Sequence, residues 1–240
     1  MGPAPGRGGR NQVGQLILVA VVGLVIYEIV HNHRISSDQV IFFCVLIPSV
    51  ILHEVSHGAV ALMFGDDTAK RAGRLTLNPV SHVDPIGTVI LPAILVLSGH
   101  PAFGYAKPVP VNVRRLRNAR NASLVVSLVG PAVNIVLAGL AALALRRWNL
   151  SGFVQPPLGW RVVFWIGYAN VILAVFNLIP IPPLDGSAVV ERLLPQRWWP
   201  GYLRIRQYSL LIVLAIVFLR PSALNSLFDP VLNWWQSLAS

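Results

Sequence analysis

Cysteine is almost absent from the chain: Cys44 is the one thiol in 240 residues, so no disulfide can form within it and no cluster of thiolates can hold a metal. Acidic residues are scarce as well, nine against nineteen Lys and Arg, and charged residues of both signs make up only 12% of the sequence. So few charges cannot cover a water-soluble fold of this length. The apolar residues, 55% of the total, come in blocks rather than in one-sided stripes. An integral membrane protein is the class that fits. The net charge of +10 does not point to nucleic acid as a partner, because the basic residues stand at the ends of apolar runs instead of forming a basic face interleaved with aromatics. They read as topology signals.

Runs at about 13–31, 39–64, 122–145, 161–180 and 202–219 are long enough, or nearly so, for transmembrane helices. Arg7 and Arg10 give the first run the look of a signal sequence, but it is long enough to span and lacks a small-x-small cleavage site. A retained first helix behind a flexible N-terminus of residues 1–12 is expected. Residues 86–98 are too few for a span and include Pro92, whereas 224–238 carry Asp229, Pro230, Trp234 and Trp235, which suits an interfacial or re-entrant helix. If 86–98 returns to its own side, every Lys and Arg except Arg34, Arg146, Arg147, Arg161 and Arg220 shares the side of the N-terminus. A crossing would instead put Arg114, Arg115, Arg117 and Arg120 on the opposite face, against the positive-inside rule. The expected fold is therefore an all-α polytopic membrane protein of five to six transmembrane helices, N-terminus cytoplasmic, with a re-entrant segment. Residues 70–80, too polar to span and ending in the turn signal Asn78-Pro79, are expected to form a small β-hairpin near the site described next.

Within the second apolar run, residues 53–58 read HEVSHG. Ionisable groups at bilayer depth cost roughly 2.5–3.5 kcal/mol each on insertion scales, so three together need a function. On a helix His53 and His57 project from one face, about 6 Å apart along the axis, which suits two bonds to one tetrahedral zinc ion. Glu54, beside the first histidine, is placed to act as general base on water at the metal. A catalytic zinc takes a third protein ligand, and the best candidate lies in NLIPIPPLDG, residues 177–186. Pro180, Pro182 and Pro183 must break the helix there, and broken backbone at membrane depth is tolerated only where it lines protein or a watery cavity. Asp185, followed by the permissive Gly186, can thus turn inward. His82 and Asp84 read as turn residues rather than further ligands, and His31, His33 and His100 lack ligand spacing. A membrane metal-ion transporter or channel is the alternative function, but ion passage has no special need for Glu54 and no inverted repeat is visible.

H-E-x-x-H-G in an early helix with N-x-x-P-x-x-P-x-D-G in a later one (Asn177, Pro180, Pro183, Asp185, Gly186) resembles the site-2 protease family of intramembrane zinc metalloproteases. GPAVN (Gly130, Pro131, Asn134), NPVSHVDPIGT (78–88) and GYAKPVPVN (104–112) add to the likeness, and the last two are similar to the branch without an appended PDZ or CBS domain. The resemblance covers roughly residues 50–190. It implies a single membrane-embedded metalloprotease domain over 1–240 with its catalytic core at about 39–190. It also implies one zinc ion on His53, His57 and Asp185, Glu54 as catalytic base, and Asn177 and Asn134 near the substrate or the oxyanion. The implied activity is regulated intramembrane proteolysis, hydrolysis of peptide bonds in a transmembrane protein or signal-peptide-like substrate. An extended substrate would add to the edge of the hairpin, and the active site would open toward the cytoplasmic side of the cell membrane. A homo-oligomer is compatible with the sequence.

Overall fold

The computed structural model describes residues 36–84, 107–148 and 154–240, which are mostly helical and hold no strand. The first helix expected at 13–31 and the re-entrant segment at 86–98 lie outside the described residues. Among those described, three helices are long and apolar enough to cross a membrane: α1 (Ser37–Met63), α3 (Ala119–Leu145) and α4 (Leu158–Leu178). They coincide within a few residues with three of the runs read from the sequence. A short α2 (Thr68–Arg71) follows α1, and α5 (Ser187–Leu193), α6 (Trp199–Arg206), α7 (Ser209–Leu219) and α8 (Pro221–Ala239) follow α4.

By internal packing the chain falls into two units, residues 40–77 with 109–240 and residues 1–39 with 78–108. In the smaller one Ser36 and Gln39 form a reciprocal capping box at the start of α1, the Gln39 amide oxygen accepting from Ser36 N at 2.8 Å and Ser36 Oγ from Gln39 N at 3.3 Å. Asn78 Oδ1 accepts from Val80 N at 3.1 Å and so starts a 3-10 turn over Pro79–His82, and Lys107 N donates to the His82 carbonyl at 2.9 Å.

The larger unit is built inside out relative to a soluble protein. α1 buries Val45, Ser49, His53, His57 and Ala61 at intervals of four residues, while Phe43, Ile47 and Met63 are exposed. α3 buries Gly130, Asn134, Ala138, Ala141 and Ala142 and exposes Val125, Ile135, Val136, Leu140 and Leu143. Small and polar residues at helix contacts with bulky aliphatic ones outside is the arrangement that lipid favours, since lipid tails offer no reason to hide an aliphatic side chain and small residues let helices approach. α3 and α4 pack along each other, and α8 packs on both. Trp235 makes that junction: its ring lies where a Cβ on Gly167 would collide with it, and Nε1 donates to the Ala138 carbonyl at 2.8 Å. The tail expected at the interface or as a re-entrant helix thus docks on the helix pair through Trp235, while its neighbour Trp234 stays exposed.

Two expectations are corrected. The run at 202–219 is not one helix: α6 and α7 part at Gln207 and Tyr208, and the eleven residues of α7 extend about 16 Å, roughly half the hydrocarbon thickness. Glu191 of α5 holds α6, accepting from the Tyr202 hydroxyl at 2.8 Å and pairing with Arg206 at 3.2 Å. Residues 70–80 finish α2, turn, and enter the 3-10 turn at Pro79 rather than forming a β-hairpin. The buried Asp66 carboxylate collects Thr68 N at 3.0 Å, the Thr68 hydroxyl and Asn112 N, and Gly65 and Gly73 take positive φ. That local competition leaves Arg74 buried and Leu77 exposed, the reverse of what a strand facing the core with its leucines requires. Burial pushes the Asp66 carboxyl up, but the bonds from Thr68 and Asn112 and the charge of Arg115 outweigh it, so the group is held below the ordinary carboxylate range.

Candidate metal centre

α4 ends at Leu178, two residues before Pro180, and the chain then turns back on itself. Gly186 N donates to the Asn177 carbonyl at 2.7 Å, closing the loop that carries Asp185. Gly186 has an ordinary φ of −58°, so conformational freedom is not what the position needs. It needs space, because a Cβ there would collide with the carbonyl of Leu178.

The loop brings Asp185 Oδ2 to 3.1 Å from His53 Nε2 and 3.4 Å from His57 Nε2, and the two Nε2 atoms are 3.1 Å apart. The opposite ring nitrogens are engaged: His57 Nδ1 lies 2.6 Å from the Val126 carbonyl and His53 Nδ1 2.6 Å from Asn134 Oδ1. A carbonyl can only accept, so His57 Nδ1 carries a proton and, in the neutral imidazole, its Nε2 presents a lone pair; Asn134 Oδ1 imposes the same on His53. Asp185 Oδ2 is buried with no hydrogen-bond partner among the described residues. With both imidazoles neutral, three lone-pair donors converge on one point. A proton could bridge two of them, whereas a metal ion bonds all three.

Gly130 of α3 lets both rings lie against its backbone: a Cβ there would stand 2.5 Å from His57 Nε2 and 2.6 Å from His53 Cε1, so any side chain would displace the ligand atoms. Two imidazoles and a carboxylate, with the outer imidazole N–H groups held by carbonyl oxygens, are a donor set that fits zinc.

The sequence pattern of Peptidase family M50 matches residues 158–220, the stretch with α4 and the Asp185 loop. "Putative zinc metalloprotease YwhC" of Bacillus subtilis is 37% identical over 193 residues, which cover 78% of this chain and 84% of that protein. The chain belongs to the site-2 protease family, peptidase family M50. "Putative zinc metalloprotease Rip2" of Mycobacterium tuberculosis is 32% identical over 230 residues, 95% of this chain and 86% of the relative. "Zinc metalloprotease MJ0392" of Methanocaldococcus jannaschii is 26% identical over 192 residues, 79% and 42% of the two chains. No solved structure matches the chain.

Around the cluster of this site-2 protease family member, Glu54 Oε2 accepts from Val109 N at 2.9 Å. Pro108 and Pro110 have no N–H, so Val109 supplies the one backbone donor of that triplet, and it goes to Glu54. Gly58 admits the same segment: a Cβ there would meet Leu75 at 2.6 Å, Val109 at 2.8 Å and Ala69 of α2 at 3.0 Å. Asn134 is fully buried against His53, and its Nδ2 donates to Asn170 Oδ1 at 2.7 Å, so it supports the histidine. Asn177 is engaged in shaping the loop, Nδ2 donating to the Leu173 carbonyl at 3.0 Å. The clamp from Val109 and the buried pair Ser49 and Asn170 were not singled out in the sequence; a lone polar residue inside an apolar run is the signal that marks the last two.

Proposed function

We propose that this chain is an intramembrane zinc metalloendopeptidase that hydrolyses peptide bonds of membrane-spanning or signal-peptide-like substrates. The observation that carries this reading is the convergence of His53, His57 and Asp185, whose ligand atoms all lie within 4.8 Å of one another, in a helix and loop flanked by lipid-suited surfaces. His53 and His57 would hold one zinc ion through Nε2 and Asp185 through its carboxylate. When bound there, zinc supplies Lewis acidity toward the scissile carbonyl and toward water. Glu54 takes a proton from the attacking water and delivers it to the leaving amine, its carboxylate held by the Val109 N–H. A substrate contact for Asn177 rests on the family resemblance alone. The positive-inside pattern supports a multi-pass protein of the cell membrane with a cytoplasmic N-terminus and a site opening toward the cytoplasm.

Glu54→Gln tests the assignment. Membrane fractions from cells carrying that variant should accumulate uncut membrane-anchored proteins that the wild type removes, and the purified variant should retain its zinc. Continued cleavage by Glu54→Gln would sink the assigned base.

A further inference from the structure

A chain of hydrogen bonds leads away from His53 through three helices. Asn134 of α3 bonds Asn170 of α4 at 2.7 Å; Asn170 Nδ2 reaches both Ser49 Oγ of α1, at 2.9 Å, and the Ile166 carbonyl, at 2.8 Å; Ser49 Oγ donates to the Val45 carbonyl at 2.8 Å. Ser49, Asn134 and Asn170 are all buried, the two amides completely.

The polarity of this chain is not free. The Val45 and Ile166 carbonyls can only accept. Ser49 must therefore give its hydrogen to Val45, and Asn170 must turn its NH2 toward Ile166 and Ser49. That leaves Asn170 Oδ1 facing Asn134, which must answer with its own NH2, and Asn134 Oδ1 is then left for His53 Nδ1. Reversing the chain would set Asn170 Oδ1 against the Ile166 carbonyl at 2.8 Å and leave Ser49 Oγ without a hydrogen for Val45, two acceptor-to-acceptor contacts among buried groups. Interhelical glue would need the bonds but not their direction.

We propose that Asn170, with Ser49, is a positioning residue for the metal centre: anchored by two backbone carbonyls, it orients the Asn134 amide so that His53 keeps its hydrogen on Nδ1 and presents the Nε2 lone pair to the ion. This rests on the proposed zinc site. Asn170 touches neither the ion nor the substrate and acts through Asn134.

The direct readout is nitrogen NMR of the metal-free protein in detergent, labelled at its six histidines, with His53 assigned by the signal lost in His53→Gln. In the wild type His53 Nδ1 should carry a hydrogen, whatever the state of Nε2. Finding Nδ1 without a hydrogen in the wild type overturns the proposal, whatever becomes of any variant. Asn170→Leu frees the Asn134 amide to turn over, so the His53 signals should shift toward the other tautomer, and affinity for Zn2+ and Co2+, measured against a competing chelator, should fall 10- to 100-fold. In an Asn134→Asp background the carboxylate offers an oxygen whichever way it turns. The same Asn170→Leu change should there weaken metal binding less than threefold. Equal losses in the two backgrounds, or native affinity in Asn170→Leu, would show that Asn170 only packs. A wild type that binds neither metal would remove the zinc site itself, and the tautomer measurement would still decide the role of Asn170.

Discussion

Gly130→Ala puts one methyl where the two histidine rings lie against α3. The added methyl would stand 2.5 Å from His57 Nε2 and 2.6 Å from His53 Cε1, where carbon contacts settle at about 3.5–4.0 Å. The rings or α3 must retreat by roughly 1 Å, several times the tolerance of about 0.2 Å on metal–ligand bonds. The rings have little room to give, since both are tied at 2.6 Å to groups on α3 itself. The helix is not the weak point: Ala is favoured over Gly in a helix interior by about 1 kcal/mol, offset in part because Pro131 disfavours a Cβ on the residue before it. Zinc affinity should therefore fall at least about 100-fold, or about 2.8 kcal/mol at about 1.4 kcal/mol per tenfold, while the metal-free protein unfolds within about 2 kcal/mol of the wild type. Chelator competition on purified protein measures the first quantity and thermal unfolding of the metal-free forms the second. Wild-type zinc affinity in a folded Gly130→Ala protein would refute the idea that the ion needs both rings where they now lie against Gly130.

Trp235→Ala removes the indole that locks α8 onto α3 and α4, and a loss of about 3–5 kcal/mol is expected in unfolding measurements in detergent, where an unchanged midpoint would show that α8 is not docked. Asp66 has a carboxyl held below its ordinary range by Thr68 and Asn112, so its contribution to stability is complete above the unfolded-state value and disappears as pH falls through the lower folded-state value. Asp66→Asn should thus be less stable than the wild type at pH 7, with the difference closing below about pH 4; parallel stability curves from pH 7 to pH 3 would contradict this.

The sequence exposed those features that need only length, hydropathy or fixed spacing. α1, α3 and α4 were visible as apolar runs, and His53, His57 and Asp185 as a helical pair of histidines and a carboxylate behind a proline break. Features that depend on through-space partners were not visible. Hydropathy sees 202–219 as one run because it registers side-chain polarity and not the pull of Glu191 on Tyr202 and Arg206. Alternation at 74–77 suggested a strand because nothing local shows that Asp66 will capture an amide from Asn112, 46 residues away. Asn134 matched a motif, but its bond to His53 and its support from Asn170 appear only once three helices are assembled.

The most direct test is the zinc content of the purified chain, measured by elemental mass spectrometry beside Asp185→Ala prepared identically. About one zinc per wild-type chain and a clear deficit in the variant are predicted. Full zinc in folded Asp185→Ala, or none in the wild type under zinc-replete conditions, would contradict a single ion shared by His53, His57 and Asp185.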